Sequence, residues 1–256
     1  MTSRWYALIA ALFIAHSSSP AQDSWVKTIS TIKSSVVPIV CGYVDAKGKW
    51  IIEDIEGTGF FVDRDGRFAT ASHVLDGLDA FRATRSQHSC IPAIYVPNEG
   101  WAKLNFKKLI DLQYFNFITC VRNSSIDIAI CTPLENPFSS NRIERGLVQE
   151  VEFDTSEIPD GTPEAFTGFP LQRTTPISSV GFVGGKMTMD DSDAWFFYTI
   201  DKASWPGASG SPVYTHDGKV IGIALRSGEE KAAGLALVRC AAAIVDFLGK
   251  NPAVKK

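Results

Sequence analysis

The chain has 256 residues, of which 45% are hydrophobic and 21% charged. This composition is that of an ordinary globular protein and excludes a fibrous or disordered chain. With 25 basic and 28 acidic side chains, the net charge of -3 provides neither a basic surface for nucleic acid nor an acidic tail. We therefore expect no nucleic-acid partner.

The first 21 residues predict a secretory signal peptide. A short positive start is followed by an apolar run over residues 5–15 and by a small polar stretch that ends in Ser19 and Ala21, spaced like a signal-peptidase site. That run is too short to cross about 30 Å of hydrocarbon, and no comparable stretch follows. We expect a mature chain from about Gln22 that is exported to the periplasm or the extracellular space, with no membrane insertion once the signal is removed.

Short apolar and β-branched runs, separated by Gly, Asp, Asn, Ser and Pro, predict a chain built mainly of strands. A first group of candidate strands precedes a Pro-, Asn- and Ser-rich linker at 132–146, and a second group follows it. Two packed β-barrels or a pair of sandwiches fit this count. Residues 240–249 have the apolar spacing of a C-terminal helix. The candidate strands are 36–44, 49–55, 59–62, 68–70, 91–96, 115–121 and 126–131, then 148–153, 164–169, 175–183, 195–200, 211–215, 220–225 and 234–238.

All five cysteines lie beyond the expected cleavage site. An oxidising compartment would allow up to two disulfides and leave one thiol, but the spacing does not assign the pairs, and buried unpaired thiols fit as well. No Cys or His spacing is typical of a metal site, so a metal is not expected.

The strongest motif is Gly-Ala-Ser-Gly-Ser-Pro at residues 207–212, which runs directly into an apolar strand. A nucleophilic serine needs an exposed hydroxyl and converging backbone N–H groups, and flanking glycines permit such a tight turn. Ser209 is the candidate nucleophile, and the N–H groups of Gly207 and Ser209 are the candidate oxyanion donors. The alternative is an ordinary Gly- and Ser-rich hairpin turn.

Two further residues complete a possible catalytic set. His73 follows the segment Phe-Ala-Thr-Ala-Ser at the end of a predicted strand, where a loop would begin, and it is the only one of four histidines in such a setting. Asp127 stands in an apolar strand, where a buried carboxylate needs a donor such as an imidazole N–H. The alternative for Asp127 is a turn aspartate after residues 123–125. Asp76 and Asp79 are nearer to His73 in sequence but are expected in a solvated loop, within a stretch of surface loops at 75–116.

The segments GTGFFV, TASHV, DIAI and GASGSPV, in this order, resemble the trypsin-like serine peptidases over about residues 36–248. The nearest likeness is to the bacterial Deg/HtrA-type and glutamyl-endopeptidase-type branches. The resemblance implies an all-β fold of two six-stranded antiparallel barrels, at about 36–131 and 147–238, with the C-terminal helix after them. It also implies a triad of His73, Asp127 and Ser209 that acts on polypeptides without a cofactor. Since no PDZ domain follows, a monomer is expected.

The resemblance also locates a specificity pocket. Ala203 stands where tryptic members carry an acid, and Ala224 stands where glutamyl endopeptidases carry a histidine. With Ser204 and Leu225 nearby, the pocket is expected to accept a small or medium apolar residue before the scissile bond.

Two other expectations follow from the resemblance. The strand at 220–225, which includes Gly222 and Ile223, is expected to pair its edge with an extended substrate. Ala208 replaces the aspartate with which digestive enzymes bind a newly cleaved N-terminus. Activation by that salt bridge is therefore not expected.

Two rivals remain at this point. A catalytically silent binding protein could keep the two-barrel fold as a scaffold, although such a scaffold has little reason to keep the glycines around Ser209. An esterase of the α/β class would carry Gly-x-Ser-x-Gly between a strand and a helix, whereas here Pro212 and a strand follow the serine.

Overall fold

The structure, a computed structural model, describes residues 20–84, 90–101, 112–188, 195–201, 205–225 and 234–253. The signal-peptide prediction for residues 1–21 falls almost entirely outside this part of the chain. The pocket residues Ala203 and Ser204 also lie outside it.

The first half of the chain forms a closed six-stranded barrel in the order β1-β2-β3-β6-β5-β4. Neighbouring strands are antiparallel throughout. Phe60, Phe68 and Phe115 are fully buried in its core, as alternation of apolar residues along the strands requires. The strands are β1 (Val36–Val44), β2 (Trp50–Phe61), β3 (Phe68–Thr70), β4 (Ile91–Pro97), β5 (Leu112–Asn123) and β6 (Ile128–Pro133).

The second half also closes on itself. Six strands follow the order β11-β8-β9-β10-β13-β12, and a pairing between β11 and β12 completes the ring. The short strand β7 adds a parallel pairing to β12. The prediction of two six-stranded barrels in an all-β fold is confirmed. The strands are β7 (Glu152–Phe153), β8 (Pro163–Gly168), β9 (Ile177–Met187), β10 (Phe197–Ile200), β11 (Pro212–Thr215), β12 (Lys219–Ala224) and β13 (Ala236–Cys240).

Within the described residues, three α-helices pack on the barrels: α1 (Pro20–Lys33), α2 (Ser72–Ala83) and α3 (Ala241–Lys250). Helix α3 is the predicted C-terminal helix and buries Ile244 and Phe247. Helix α1 lies on the second barrel, where the ring of Trp25 meets that of His216 edge to face at 5.1 Å. In the described part of the chain, none of the helices has the length and apolar character needed to cross a membrane.

The first barrel carries two disulfides, Cys41–Cys90 and Cys120–Cys131. They join β1 to the start of β4 and β5 to β6. These are the pairs that the sequence left open. Cys240 keeps a buried thiol, whose pKa is raised by that burial.

Candidate active site

His73 lies in the first turn of helix α2, directly after strand β3. The sequence predicts that a loop begins after His73 and that residues 75–116 are mainly surface loops. This prediction is wrong for residues 75–83, which belong to helix α2. Strand β3 is held between β2 and β6, and Ala71 precedes the helix with an extended backbone. The imidazole therefore projects from a helix start that is anchored to the barrel wall.

Asp127 lies in the turn between β5 and β6, not in a strand as predicted. Its φ of 56° is in the left-handed region, which Asp tolerates better than most residues. The carboxylate contacts His73 twice: Oδ2 is 2.7 Å from Nδ1, and Oδ1 accepts the backbone N–H at 3.0 Å. The structure therefore joins the two predicted residues, although the aspartate reaches the histidine from a turn.

The acids that precede Asp127 in sequence do not compete for this imidazole. Asp76 and Asp79 lie on α2, not in a loop, and both form ion pairs with Arg122 of β5, at 3.2 and 2.8 Å. These pairs are on the outer side of the helix, where each aspartate side chain is about half exposed.

Ser209 lies in a turn that precedes β11 and is held from both barrels. Its carbonyl accepts a hydrogen bond from the N–H of Thr58 at 2.9 Å, and the next residue, Gly210, donates to Ala224 of β12 at 2.8 Å. Ser209 is only 8% exposed. The nucleophile candidate is therefore fixed by its main chain.

The glycines of this turn are required by its geometry. Gly207 has a φ of 88°, and a Cβ there would collide with the carbonyl oxygen of Phe169. Gly210 has a φ of 87°, and a Cβ there would collide with the carbonyl oxygen of Thr58. Within the described residues, the N–H groups of Gly207 and Ser209 donate to no other group. Both amides therefore remain available for an incoming oxygen.

Thr58 is a residue of this site that the sequence reasoning did not single out. Its hydroxyl donates to the carbonyl of Gly207 at 2.8 Å and accepts from the N–H of Phe169 at 3.0 Å. Thr58 is fully buried. The segment GTGFFV was a marker of the family resemblance, but the partner of Thr58 lies 149 residues away in sequence, so the sequence alone gave no sign of the contact.

The remaining contact of a catalytic triad is open in this structure. Nε2 of His73 is buried and has no hydrogen-bond partner in the part of the chain that is described. The hydroxyl of Ser209 is therefore not hydrogen-bonded to it. Catalytic hydrogen bonds are often long in unliganded enzymes and shorten when substrate binds.

The expectation that residues 220–225 present a free edge is wrong for Gly222, Ile223 and Ala224. These residues pair with β11 on one side and with β13 on the other. The N–H of Ala224 donates to the carbonyl of Ser211, which ties it to the nucleophile turn. Ala224 and Leu225 are buried, at 2% and 5% exposure, and Ala208 is buried at 1%.

A second carboxylate pair lies near helix α2. Glu56 of β2 packs over Gly77, where a Cβ would come within 2.9 Å of Oε2. Burial, followed by the charge of Asp54 and a hydrogen bond to it, raises the pKa of Glu56 to about 7. Glu56 therefore titrates in the neutral range while packed against the helix that carries His73.

Taken together, a histidine, a carboxylate and a serine come from three segments, with two free amides beside the serine. This arrangement is suited to nucleophilic acyl transfer.

Comparisons with known proteins agree with this chemistry. Residues 57–223, more than half of the chain, match the trypsin-like peptidase domain family. Among solved structures, the chain is similar to the active form of the Rv3671c protease from M. tuberculosis, with 18% identity, a TM-score of 0.60, and 89% of this chain and 85% of that chain covered. The HtrA-type protease AlgW with a tripeptide has 13% identity and a TM-score of 0.61, with 88% of this chain and 62% of that chain covered. No curated protein matched.

The solved structures are too distant in sequence to show more than the fold, which they share with this chain over most of its length. The family match covers the segments that carry His73, Asp127 and Ser209. The chain therefore belongs to the trypsin-like peptidase domain family and is a serine-type peptidase.

Proposed function

We propose that this chain is an exported serine endopeptidase in which Ser209 is the nucleophile, His73 the general base and Asp127 the residue that orients the base. The observation that carries the proposal is the 2.7 Å contact between Asp127 Oδ2 and His73 Nδ1. An ionised carboxylate only accepts hydrogen bonds, so this contact supports the tautomer that carries the ring proton on Nδ1. Nε2 then keeps its lone pair for the serine proton.

The reaction follows from these positions. Nε2 of His73 takes the hydroxyl proton as Ser209 Oγ bonds to the carbonyl carbon, and the N–H groups of Gly207 and Ser209 donate to the oxygen that becomes negative. The imidazolium then gives its proton to the amine as the C–N bond breaks. Water then gives a proton to the same imidazole as its oxygen bonds to the acyl carbon. The bond from that carbon to Ser209 Oγ breaks, and the imidazolium returns the proton to Oγ.

The specificity proposal is a small or medium apolar residue before the scissile bond. The described part of the expected pocket wall, Ala224 and Leu225, is apolar and carries no charge. Ala224 is also bonded through its main chain to Gly210 and Ser211 of the nucleophile turn, so this wall adjoins that turn. A charged side chain would find no partner on this wall.

The export proposal is supported by the leader-like residues 1–21 and by the two disulfides, because disulfides persist mainly in oxidising compartments. Trp25 of helix α1, which contacts His216 of the second barrel, lies after the expected cleavage point and would remain in the mature chain. Mass analysis of protein secreted from an expression host tests this proposal. A mature chain that begins near Gln22 is expected, and retention of Met1 in the exported protein would contradict it.

The activity is tested by a fluorophosphonate label together with turnover of a peptide substrate. Ser209→Ala should lose labelling and should reduce kcat by about 10⁴-fold or more. Ser211→Ala is the matched control, because its hydroxyl is buried two residues away in the same turn and has no hydrogen-bond partner among the described residues. The control should label and turn over like the wild type. A folded wild-type protein that neither labels nor cleaves peptides would instead favour the silent binding scaffold.

The pocket is tested by profiling cleavage sites in a peptide library, with Ser209→Ala as the blank. Enrichment of Ala, Val or similar residues before the cleaved bond is expected. A preference for Lys, Arg or Glu would contradict the pocket assignment while leaving the peptidase activity intact.

A further inference from the structure

Arg239 is a buried cation at the junction of the two barrels. It lies on β13, opposite Phe197 of β10, and is only 3% exposed. Its guanidinium carbon is 3.6 Å from the centre of the Phe197 ring. Buried arginines need hydrogen-bond acceptors, since the loss of hydration is costly otherwise.

Two of those acceptors are backbone carbonyls from different segments. Nε donates to the carbonyl of Ile126 at 3.2 Å, and a terminal nitrogen donates to the carbonyl of Trp195 at 2.7 Å. Ile126 belongs to the turn of the first barrel and directly precedes Asp127. A side chain of the second barrel thus holds the turn that carries the triad carboxylate.

The hydrogen bond from Arg239 to the Ile126 carbonyl constrains the backbone angle φ of Asp127. The Ile126 carbonyl lies in the peptide plane whose rotation about the N–Cα bond of Asp127 defines φ of Asp127. That φ is 56°, in the left-handed region. Such a conformation is disfavoured for residues with a Cβ and persists where the surroundings hold it. Arg239 holds the plane from one side, and the N–H of Ser72 holds the carbonyl of Asp127 from the other, at 3.3 Å.

We propose that Arg239 is a positioning residue for the catalytic reaction: by fixing the Ile126 carbonyl it keeps the Asp127 carboxylate directed at Nδ1 of His73. The inference rests on the proposed function, because the orienting role of Asp127 belongs to it. Arg239 touches neither the serine nor the imidazole in the contacts described, so its effect on turnover passes through Asp127.

The first test variant is Arg239→Met, which keeps the length of the side chain but has no donor. Because small misplacements of catalytic groups cost up to about 100-fold in rate, kcat for a peptide substrate should fall by about 10- to 100-fold with KM little changed. The acidic limb of the kcat/KM profile should move to lower pH, since a looser Asp127 contact stabilises the imidazolium of His73 less.

The other ionisable groups on or against helix α2 stay as they are in this variant. They are Glu56, which packs over Gly77, the acids Asp76 and Asp79, and the arginines Arg82 and Arg122 with which these acids pair. A shift of the acidic limb to lower pH in Arg239→Met is therefore attributable to the contact between Asp127 and His73, because loss of the Arg239 cation alone would stabilise the imidazolium and move the limb to higher pH.

The matched control is Phe197→Leu. It removes the ring under the guanidinium in the same buried site but leaves both carbonyl bonds of Arg239. It should lower the melting temperature without moving the acidic limb. If Arg239→Met and Phe197→Leu change kcat and the acidic limb of the kcat/KM profile equally, Arg239 has only a structural role and the proposal is overturned.

Arg239→Lys keeps the test decisive if the Met variant does not fold. Lysine retains the buried cation, but its single ammonium cannot reproduce the planar fork that serves two carbonyls. Intermediate kcat and an intermediate shift of the acidic limb are expected. A folded Lys variant with the wild-type limb and kcat would also overturn the proposal.

A readout that does not depend on turnover separates this proposal from the function itself. The Nδ1 proton of His73, bonded to Asp127, should give a far-downfield proton resonance in the wild type at acidic pH. It should be lost in Asp127→Asn and weakened in Arg239→Met. If the wild type shows no peptidase activity, the proposed function fails; if the resonance is unchanged in Arg239→Met, the positioning role fails.

Discussion

Thr58 offers a sharp test of how the nucleophile turn is held, through the substitution Thr58→Val. Valine keeps the shape of the side chain and removes the hydroxyl, which leaves the Gly207 carbonyl and the Phe169 N–H without their present partner. Each buried polar group that loses its partner costs about 1–3 kcal/mol, so unfolding should become easier by about 2–6 kcal/mol.

The effect on catalysis should be smaller than the loss of a whole oxyanion donor, which costs about 10²- to 10³-fold in kcat. Thr58 fixes the Gly207 carbonyl and not the donating amide of Ser209, so we expect a fall of about 10- to 100-fold with little change in KM. Steady-state kinetics on a peptide substrate, at a temperature where the variant is folded by circular dichroism, measures this.

Two matched variants complete the test. Thr58→Ser keeps the hydroxyl and should restore most of kcat. Thr70→Val removes the neighbouring buried hydroxyl, which donates to the carbonyl of Thr58 at 2.8 Å, and should lower stability with a smaller effect on turnover. A folded Thr58→Val protein with wild-type kcat would refute the idea that this hydroxyl organises the turn.

Three other outcomes are expected. Asp127→Asn should lower kcat by about 10⁴-fold, because an amide favours the wrong tautomer of His73; fluorophosphonate labelling that stays as fast as in the wild type would contradict this. In the wild type, the raised pKa of Glu56 gives stability that is complete below about pH 4.5 and is lost as pH rises through about 7. Glu56→Gln carries no charge at any pH, so its melting temperature should exceed that of the wild type increasingly as pH rises. Thermal melts from pH 4 to 8 measure this difference, and a gap that does not widen with pH would count against the buried carboxylate. In unreduced protein, iodoacetamide should modify one thiol, Cys240, and only after denaturant is added; mass spectrometry that finds more than one thiol would contradict the disulfides.

The strands were predictable from the sequence because alternating apolar residues report directly on a barrel wall. The main boundary error was the split of β2 at residues 56–58, a gap that contains Gly57 and ends before Gly59. The strand continues through both glycines. A Cβ at Gly57 would press on the side chain of Val74, and one at Gly59 on the ring of Phe68. The glycines here permit close packing within a strand and do not mark a turn.

Helix α2 was missed for a different reason. Its hydrophobic face is formed only by Val74, Leu75 and Leu78, and a glycine, Gly77, lies within it. Its aspartates Asp76 and Asp79 form ion pairs with Arg122 on β5, a tertiary contact that no local sequence pattern indicates. Local propensity therefore favoured a loop where packing produces a helix.

Asp127 illustrates how a correct residue can be reached through a wrong structural reason. The apolar residues after it predict a strand aspartate, and a turn aspartate is the alternative. In the structure the turn is what brings the carboxylate to His73, because the left-handed backbone at Asp127 lets both carboxylate oxygens reach the same residue.

The motif residues of this site are held by side chains that no motif identifies. Thr58 of the first barrel holds the nucleophile turn of the second, and Arg239 of the second barrel holds the turn of Asp127 in the first. Both bonds end on backbone carbonyls, 149 and 113 residues away, so almost any residue type at the accepting position would serve. Sequence can therefore identify the groups that react, whereas the geometry that aligns them depends on reciprocal contacts between two barrels, and those become visible only when the chain is folded.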